Sequence, residues 1–198
     1  MPIRAGLVDE IDLANGTWII LDIGFAGDKK STCGLAIDDE APKELTFSDA
    51  ISLISTIIQN SNEPVSLVIE APLSVAFSKA GNPAGRFIEK KGPKTRYWYV
   101  GVGCSVLVAA QYLINRIYPF CEEKDVRLFE GFVSFKPNNV ASNHRDDVDR
   151  LRTIILNPER YKANIVHSSN LALNSTDSIE SAFNILGYDF GVPPIIIG

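Results

Sequence analysis

Thr17-Trp18-Ile19-Ile20-Leu21-Asp22-Ile23 is almost wholly apolar and rich in strand formers, and a single carboxylate interrupts it one residue before its end. Unbroken apolar character over this length predicts a strand buried on both faces, as in the centre of an α/β sheet. A charge in such a strand is costly to desolvate unless it is paired, hydrogen-bonded or bound to a cation, so Asp22 is the first candidate for function. Its structural alternative is a buried acid that accepts hydrogen bonds from the backbone of the turn between Gly24 and Gly27.

Downstream, Gly27-Asp28-Lys29-Lys30-Ser31 is turn chemistry, and Thr32-Cys33-Gly34-Leu35-Ala36-Ile37 resumes an extended pattern. The pair predicts a hairpin. A third strand over 44–47 leads to a helix over 49–59, capped by Ser48, with Ala50, Leu53, Ile54 and Ile57 at helical spacing. Val65-Ser66-Leu67-Val68-Ile69-Glu70 is a strand that ends in a carboxylate before Ala71-Pro72, and Val126-Arg127-Leu128-Phe129-Glu130 supplies another. Helices are predicted over 145–156, stopping before Asn157-Pro158, and over 176–186, stopping at Gly187. Residues 73–96 lack periodicity and carry Gly, Pro and Lys, which predicts a long loop inserted into the domain. The expected architecture is a single α/β domain over 1–198, a mixed five-stranded sheet with helices packed on it.

A chain of 198 residues, 45% hydrophobic, holds one sizeable core. The net charge of -5 argues against a surface that is basic throughout. The insertion departs from that balance: Lys79, Arg86, Lys90, Lys91, Lys94 and Arg96 oppose only Glu89. Interleaved with Phe87, Tyr97, Trp98 and Tyr99, these cations suit a phosphate backbone with bases stacked on rings, and equally a solvating loop whose aromatics belong to the core. Cys33, Cys104 and Cys121 form no C-x-x-C pair and leave one thiol over, which points to a reducing, cytoplasmic setting and away from cysteine-bound zinc. The first ten residues lack the basic start and apolar core of a signal peptide, so no export is expected. Residues 97–115 carry no charge and approach the length of a membrane span, but Gly101, Gly103, Ser105, Gln111 and Asn115 favour a helix packed on both sides inside the domain.

Three acids stand where separate elements can bring them together: Asp22 on a strand, Glu70 at a strand end and Asp177 at a helix start. Mg²⁺ or Mn²⁺ prefers carboxylate and water oxygens, and two such ions about 4 Å apart can activate a water and stabilise the leaving oxygen of a phosphodiester. Asp177-x-x-Glu180 is also the spacing of a helix capping box, and Glu70 before its proline is also a plain strand-end acid. Asp146, Asp147 and Asp149 are alternative third donors, although acids beside Arg145, Arg150 and Arg152 are expected to form a solvated face. Glu130 is held in reserve, and His144 and His167 are expected to be surface or capping residues.

Leu21-Asp22-Ile23-Gly24-Phe25, continuing to Cys33-Gly34-Leu35-Ala36, resembles the opening of ribonuclease-H-like nucleases, including the Holliday-junction resolvase branch. Val68-Ile69-Glu70-Ala71-Pro72-Leu73, Phe129-Glu130-Gly131, Asp177-Ser178-Ile179-Glu180-Ser181-Ala182 and Gly191-Val192-Pro193-Pro194 look more specifically like the predicted nucleases of the domain-of-unknown-function 429 family. The resemblance spans roughly residues 17–197 and implies a ribonuclease-H-like fold and a metal-dependent hydrolase of DNA or RNA. It implies that Asp22 bridges two cations, Glu70 binds one and Asp177 closes the site, with Glu180 as a fourth ligand. The long basic insertion departs from the family and leaves the substrate open. A homodimer or a partner protein is open too, since a junction-cutting enzyme is expected to act on two strands symmetrically.

Two rival classes share some of these signals. Asp22-x-Gly24 before a glycine-bearing hairpin also suits actin-like and sugar-kinase ATP-binding domains, but that architecture needs two halves and a second phosphate loop. No G-x-x-x-x-G-K-[ST] occurs, which excludes a P-loop enzyme at the level of motif. A non-catalytic nucleic-acid-binding or assembly subunit would keep the fold and dispense with the chemistry.

Overall fold

The computed structural model describes residues 2–24, 33–135 and 143–198. In chain order the elements are β1 (Ile3–Ala5), β2 (Thr17–Ile23), β3 (Cys33–Ile37), β4 (Lys43–Leu45), α1 (Phe47–Asn60), β5 (Val65–Glu70), β6 (Ser74–Phe77) and β7 (Pro83–Ala84). They continue with β8 (Lys90–Lys91), β9 (Lys94–Thr95), α2 (Val102–Ile117), β10 (Val126–Phe132), α3 (His144–Leu156), β11 (Ile165–Val166), β12 (Ser178–Ser181) and β13 (Ile195–Ile197). The predicted turn Gly27–Ser31, with Phe25 and Thr32, lies outside the described residues.

The main sheet is mixed and eight-stranded, in the order β11-β13-β10-β5-β2-β3-β4, with β1 also paired to β10. The five expected strands are contiguous within it; β1, β11 and β13 extend it beyond the expected five. β2, β3 and β4 pair antiparallel, whereas β2–β5 and β5–β10 are parallel. β10 is shared on its far side: β1 pairs with its first half and β13 with its second. From β2 the chain first builds outward through β3 and β4, then returns to lay β5 and β10 on the opposite side. The order therefore reverses between β2 and β5, and open α/β sheets bind ligands at such a reversal, beyond the strand C-termini.

Alternation along β2 divides the core. Ile19, Leu21 and Ile23 pack toward α1 and α2 with Ala50, Ile54, Ala110 and Leu113. Trp18 and Ile20 pack toward α3 with Val148, Leu151 and Ile155, and Trp18 meets Phe129 at 4.9 Å between ring centroids. Asp22 shares the parity of Trp18 and Ile20, and Glu70 that of Val68, so both acids belong to the α3 face. The N-cap of α1 is Thr46, whose Oγ1 accepts from the Asp49 N–H at 3.1 Å, and the helix starts two residues before the predicted start.

Three expectations are corrected. Residues 73–96 are not an unstructured loop: β6 pairs with β7 and with the distant β12, and β8–β9 is a hairpin turned by Gly92-Pro93, with Gly92 at φ 58. The helix expected over 176–186 is instead β12 followed by a 3-10 turn over Asn184–Leu186, because Ile179 and Ser181 find ladder partners in Ala76 and Ser74. α2 buries one face through Val106, Ala110, Leu113 and Ile117, while Val102, Val108 and Tyr112 are exposed. No helix of the described residues is long and apolar enough to cross a membrane.

Candidate functional site

Asp22 and Glu70 are register partners at the C-terminal ends of the adjacent parallel strands β2 and β5. Neighbouring strands lie about 4.8 Å apart, so two same-face carboxylates in register meet side by side. Asp22 is 1% exposed, and Glu70 lies beside it as its register partner. Burial pushes the Glu70 carboxyl well above the usual carboxylate range, and the negative charges of Asp22 and Asp147 push it the same way. The Val133 N–H, which donates to Glu70 Oε1 at 3.2 Å, opposes the shift.

The third acid comes from α3. Asp147 is buried and lines the same cavity as Asp22 and Glu70. His144, the first residue of α3, lays Nδ1 2.9 Å from Asp22 Oδ2. What allows α3 so close is Gly34, the antiparallel partner of Asp22: a Cβ there would fall far inside contact distance of the His144 carbonyl oxygen. Gly131 plays the same part for Leu151 one helical turn after Asp147. The two glycines thus let the N-terminal turn of α3 sit directly over the strand ends.

The three aspartates of α3 have separate fates. Asp146 closes a capping box with Asn143, whose Oδ1 accepts from the Asp146 N–H at 2.9 Å. Asp149 accepts from Arg152 Nη2 at 2.7 Å on the outer face. Asp147 alone falls on the stripe of Leu151 and Ile154, at four and seven residues' spacing, which turns it to the sheet. Grouping the three as one solvated face is therefore corrected for Asp147. His144 is likewise no isolated surface residue, whereas His167 caps a 3-10 turn through its Nδ1, as expected.

Asp177 and Glu180 stand apart from this cluster. Asp177 holds a turn, accepting from the Asn174 N–H at 3.1 Å and its Nδ2 at 2.9 Å, and Glu180 is exposed on β12 with Oε1 accepting from Ser178 Oγ. Neither lines the cavity that contains Asp22 and Glu70. Their approach depended on a helix over 176–186, and that segment pairs with β6 instead.

The basic insertion divides as well. Lys79, Lys90, Lys91, Lys94 and Arg96 are exposed, but Arg86 is 0% exposed and carries a structural network. Its Nη2 meets Glu89 Oε1 at 2.9 Å, and Nη1 meets Glu130 Oε2 and Ser74 Oγ, both at 2.8 Å. The Leu73 N–H donates to the same Glu130 oxygen and the Trp98 N–H to Glu89 Oε1. Burial raises the Glu89 carboxyl above its usual range, against the pull of Arg86. Arg86 and Glu130 accordingly clamp the insertion to β10, and assignment of Arg86 to a phosphate is corrected by its burial between two carboxylates.

A cavity of about 670 Å³ opens above the acids. Asp22, Glu70, Asp147 and His144 line it together with Arg96, Tyr97, Trp98 and the start of α2 at Gly101–Gly103. The carboxylates suit a hard divalent cation in donor type and burial, and their mutual repulsion is what a cation would relieve. Among the described residues no three His, Cys, Asp or Glu side chains already surround one point as ligands, so a bound cation would have to draw them together. Comparison with protein-family models, with curated proteins and with solved structures finds no match for this chain.

Proposed function

We propose that this chain is a nuclease of the ribonuclease-H-like kind, a metal-dependent phosphodiester hydrolase whose acid set is Asp22, Glu70 and Asp147. The observation that carries the reading is the register pairing of Asp22 with Glu70 where the sheet order reverses, completed by a buried acid from α3. The contiguous order β4-β3-β2-β5-β10, antiparallel then parallel, supports the fold assignment. Mg²⁺ or Mn²⁺, held by those three carboxylates, would supply Lewis acidity toward the phosphodiester and an activated water.

The protein's own part is to arrange charge. Burial and the neighbouring charges of Asp22 and Asp147 raise the Glu70 carboxyl, a penalty that a bound cation would offset. His144 orients Asp22 through Nδ1, and Gly34 and Gly131 fix the height of α3 above the strand ends. Arg96, which lines the same cavity, offers a cation to a phosphate oxygen.

The test is incubation with Mg²⁺ or Mn²⁺ and a panel of single-stranded, duplex, hybrid and branched DNA and RNA, beside Asp22→Asn. Metal-dependent cleavage abolished by Asp22→Asn is expected. A second reading, a nucleic-acid-binding subunit without catalysis, is favoured by the fact that among the described residues no three donors already converge; metal-independent binding with no cleavage across the panel would select it.

A further inference from the structure

The aromatic segment that lines the cavity with the acids is built, not draped. Trp98 is pinned at both ends, its N–H donating to Glu89 Oε1 and its Nε1 to the Ala84 carbonyl, each at 2.9 Å. Tyr97 stacks on Tyr99 with ring centroids 5.3 Å apart and planes 4° from parallel. The Arg96 N–H donates to the Glu89 carbonyl at 2.8 Å, so the strand leading out of the hairpin is tied to the buried Arg86–Glu89 pair. Beyond this segment the β8–β9 hairpin exposes Lys90, Lys91 and Lys94, with Lys91 and Lys94 directly paired in register.

Size limits what reaches the acids. The cavity lies within the range of pockets that enclose a small ligand, about 300–1,000 Å³. A sphere of its volume is about 11 Å across, which suits one nucleotide-sized group held against the acids. A rigid half-buried aromatic pair beside a cationic rim is the arrangement that takes unpaired bases, because every base offers a face to stack and every linkage a phosphate.

We infer that the substrate is a single nucleic-acid strand, with one nucleotide in the cavity against Tyr97 and Trp98 and its neighbouring phosphates on Lys90, Lys91 and Lys94. The inference rests on the nuclease reading for the position of the scissile phosphate, but its binding face is separate from the acids.

The experiment is fluorescence anisotropy of the full chain with a labelled twelve-nucleotide strand, as DNA and as RNA, and with the same sequence as a blunt duplex. Ca²⁺ replaces Mg²⁺ so that binding is read without turnover. The expected result is that the single strand binds at least about tenfold more tightly than the duplex. Lys90→Gln/Lys91→Gln/Lys94→Gln, three exposed changes, is expected to flatten the slope of log affinity against log salt by about 2, at ~0.7 per phosphate contact on a single strand. Trp98→Ala is expected to weaken strand binding about 5- to 150-fold, with circular dichroism checking its fold and Trp98→Phe, which keeps a ring, retaining most of the affinity. Duplex binding equal to or tighter than strand binding, absence of binding to either, or an unchanged salt slope overturns the inference. Cleavage of duplex by wild type in Mn²⁺ would overturn it while upholding the nuclease reading; strand binding without any cleavage would do the reverse.

Discussion

Replacing Arg86 by Met is expected to damage the fold and not the grip on a ligand. The guanidinium makes four hydrogen bonds, two to Glu89, one to Glu130 and one to Ser74, in a side chain with no solvent exposure. Met fills much of the same volume but leaves two buried carboxylates without their cation, and breaking a buried pair from one side costs about 3–5 kcal/mol. For a chain of this size that corresponds to a fall of roughly 6–20 °C in Tm. Because the pair is shielded from solvent, the loss should persist at high ionic strength, unlike that of a surface bridge. Adding Glu89→Gln and Glu130→Gln removes the stranded charges and should recover more than half of the loss. Urea and thermal unfolding followed by circular dichroism measure these quantities. An Arg86→Met chain within about 1 kcal/mol of wild type but deficient in binding single strands would refute the reasoning and return Arg86 to the phosphate contacts.

Gly34→Ala should push the N-terminal turn of α3 off the sheet, because the atom in its way is the His144 backbone oxygen and not a flexible side-chain tip. We expect a stability loss of about 1–3 kcal/mol and a fall in cleavage on the order of 100-fold from displacing Asp147 by about 1 Å; unchanged Tm and activity would contradict the placement. Glu70→Gln should be more stable than wild type at neutral pH. The native Glu70 carboxyl is raised, so it binds a proton that the unfolded chain has already released, and its stabilising contribution, complete at acid pH, is lost as pH rises through the raised value. The Tm difference between variant and wild type should therefore widen from acid to neutral pH, by about 2–4 °C per kcal/mol, and a difference independent of pH would show that folding does not raise the Glu70 carboxyl.

The sheet was legible where the sequence signal was local. β2, β5 and β10 are apolar runs whose side chains face helices on both sides, and the predicted ranges of the first two match residue for residue. Asp22 and Glu70 were legible for the same reason, as acids that end such runs. β1, β12 and β13 have three or four residues each, and their partners are far away in the chain: Ile3 pairs with Val126 and Ile179 with Ala76. No local pattern announces them. The 176–186 segment misled because Ile179, Ala182, Phe183 and Leu186 have helical spacing and Asp177-x-x-Glu180 has capping-box spacing, while long-range pairing to β6 prevailed. Asp147 was legible in principle. Counting back four residues from Leu151 and seven from Ile154 puts it on the buried stripe, and that count separates it from Asp146 and Asp149. Arg86 was not, since its partner Glu130 lies 44 residues away on a strand that gives no sign of which face it shows.

The central claim is that the acid from α3, and not the one before β12, completes the site with Asp22 and Glu70. It is tested most directly by Mn²⁺-dependent cleavage rates of wild type, Asp147→Asn and Asp177→Asn, measured side by side on the substrate that wild type cuts fastest. Loss of a ligand that supports several kcal/mol of transition-state stabilisation predicts a fall of about 10²-fold or more for Asp147→Asn, with Asp177→Asn within about twofold of wild type. The opposite ranking, with Asp177→Asn inactive and Asp147→Asn active, would contradict the account.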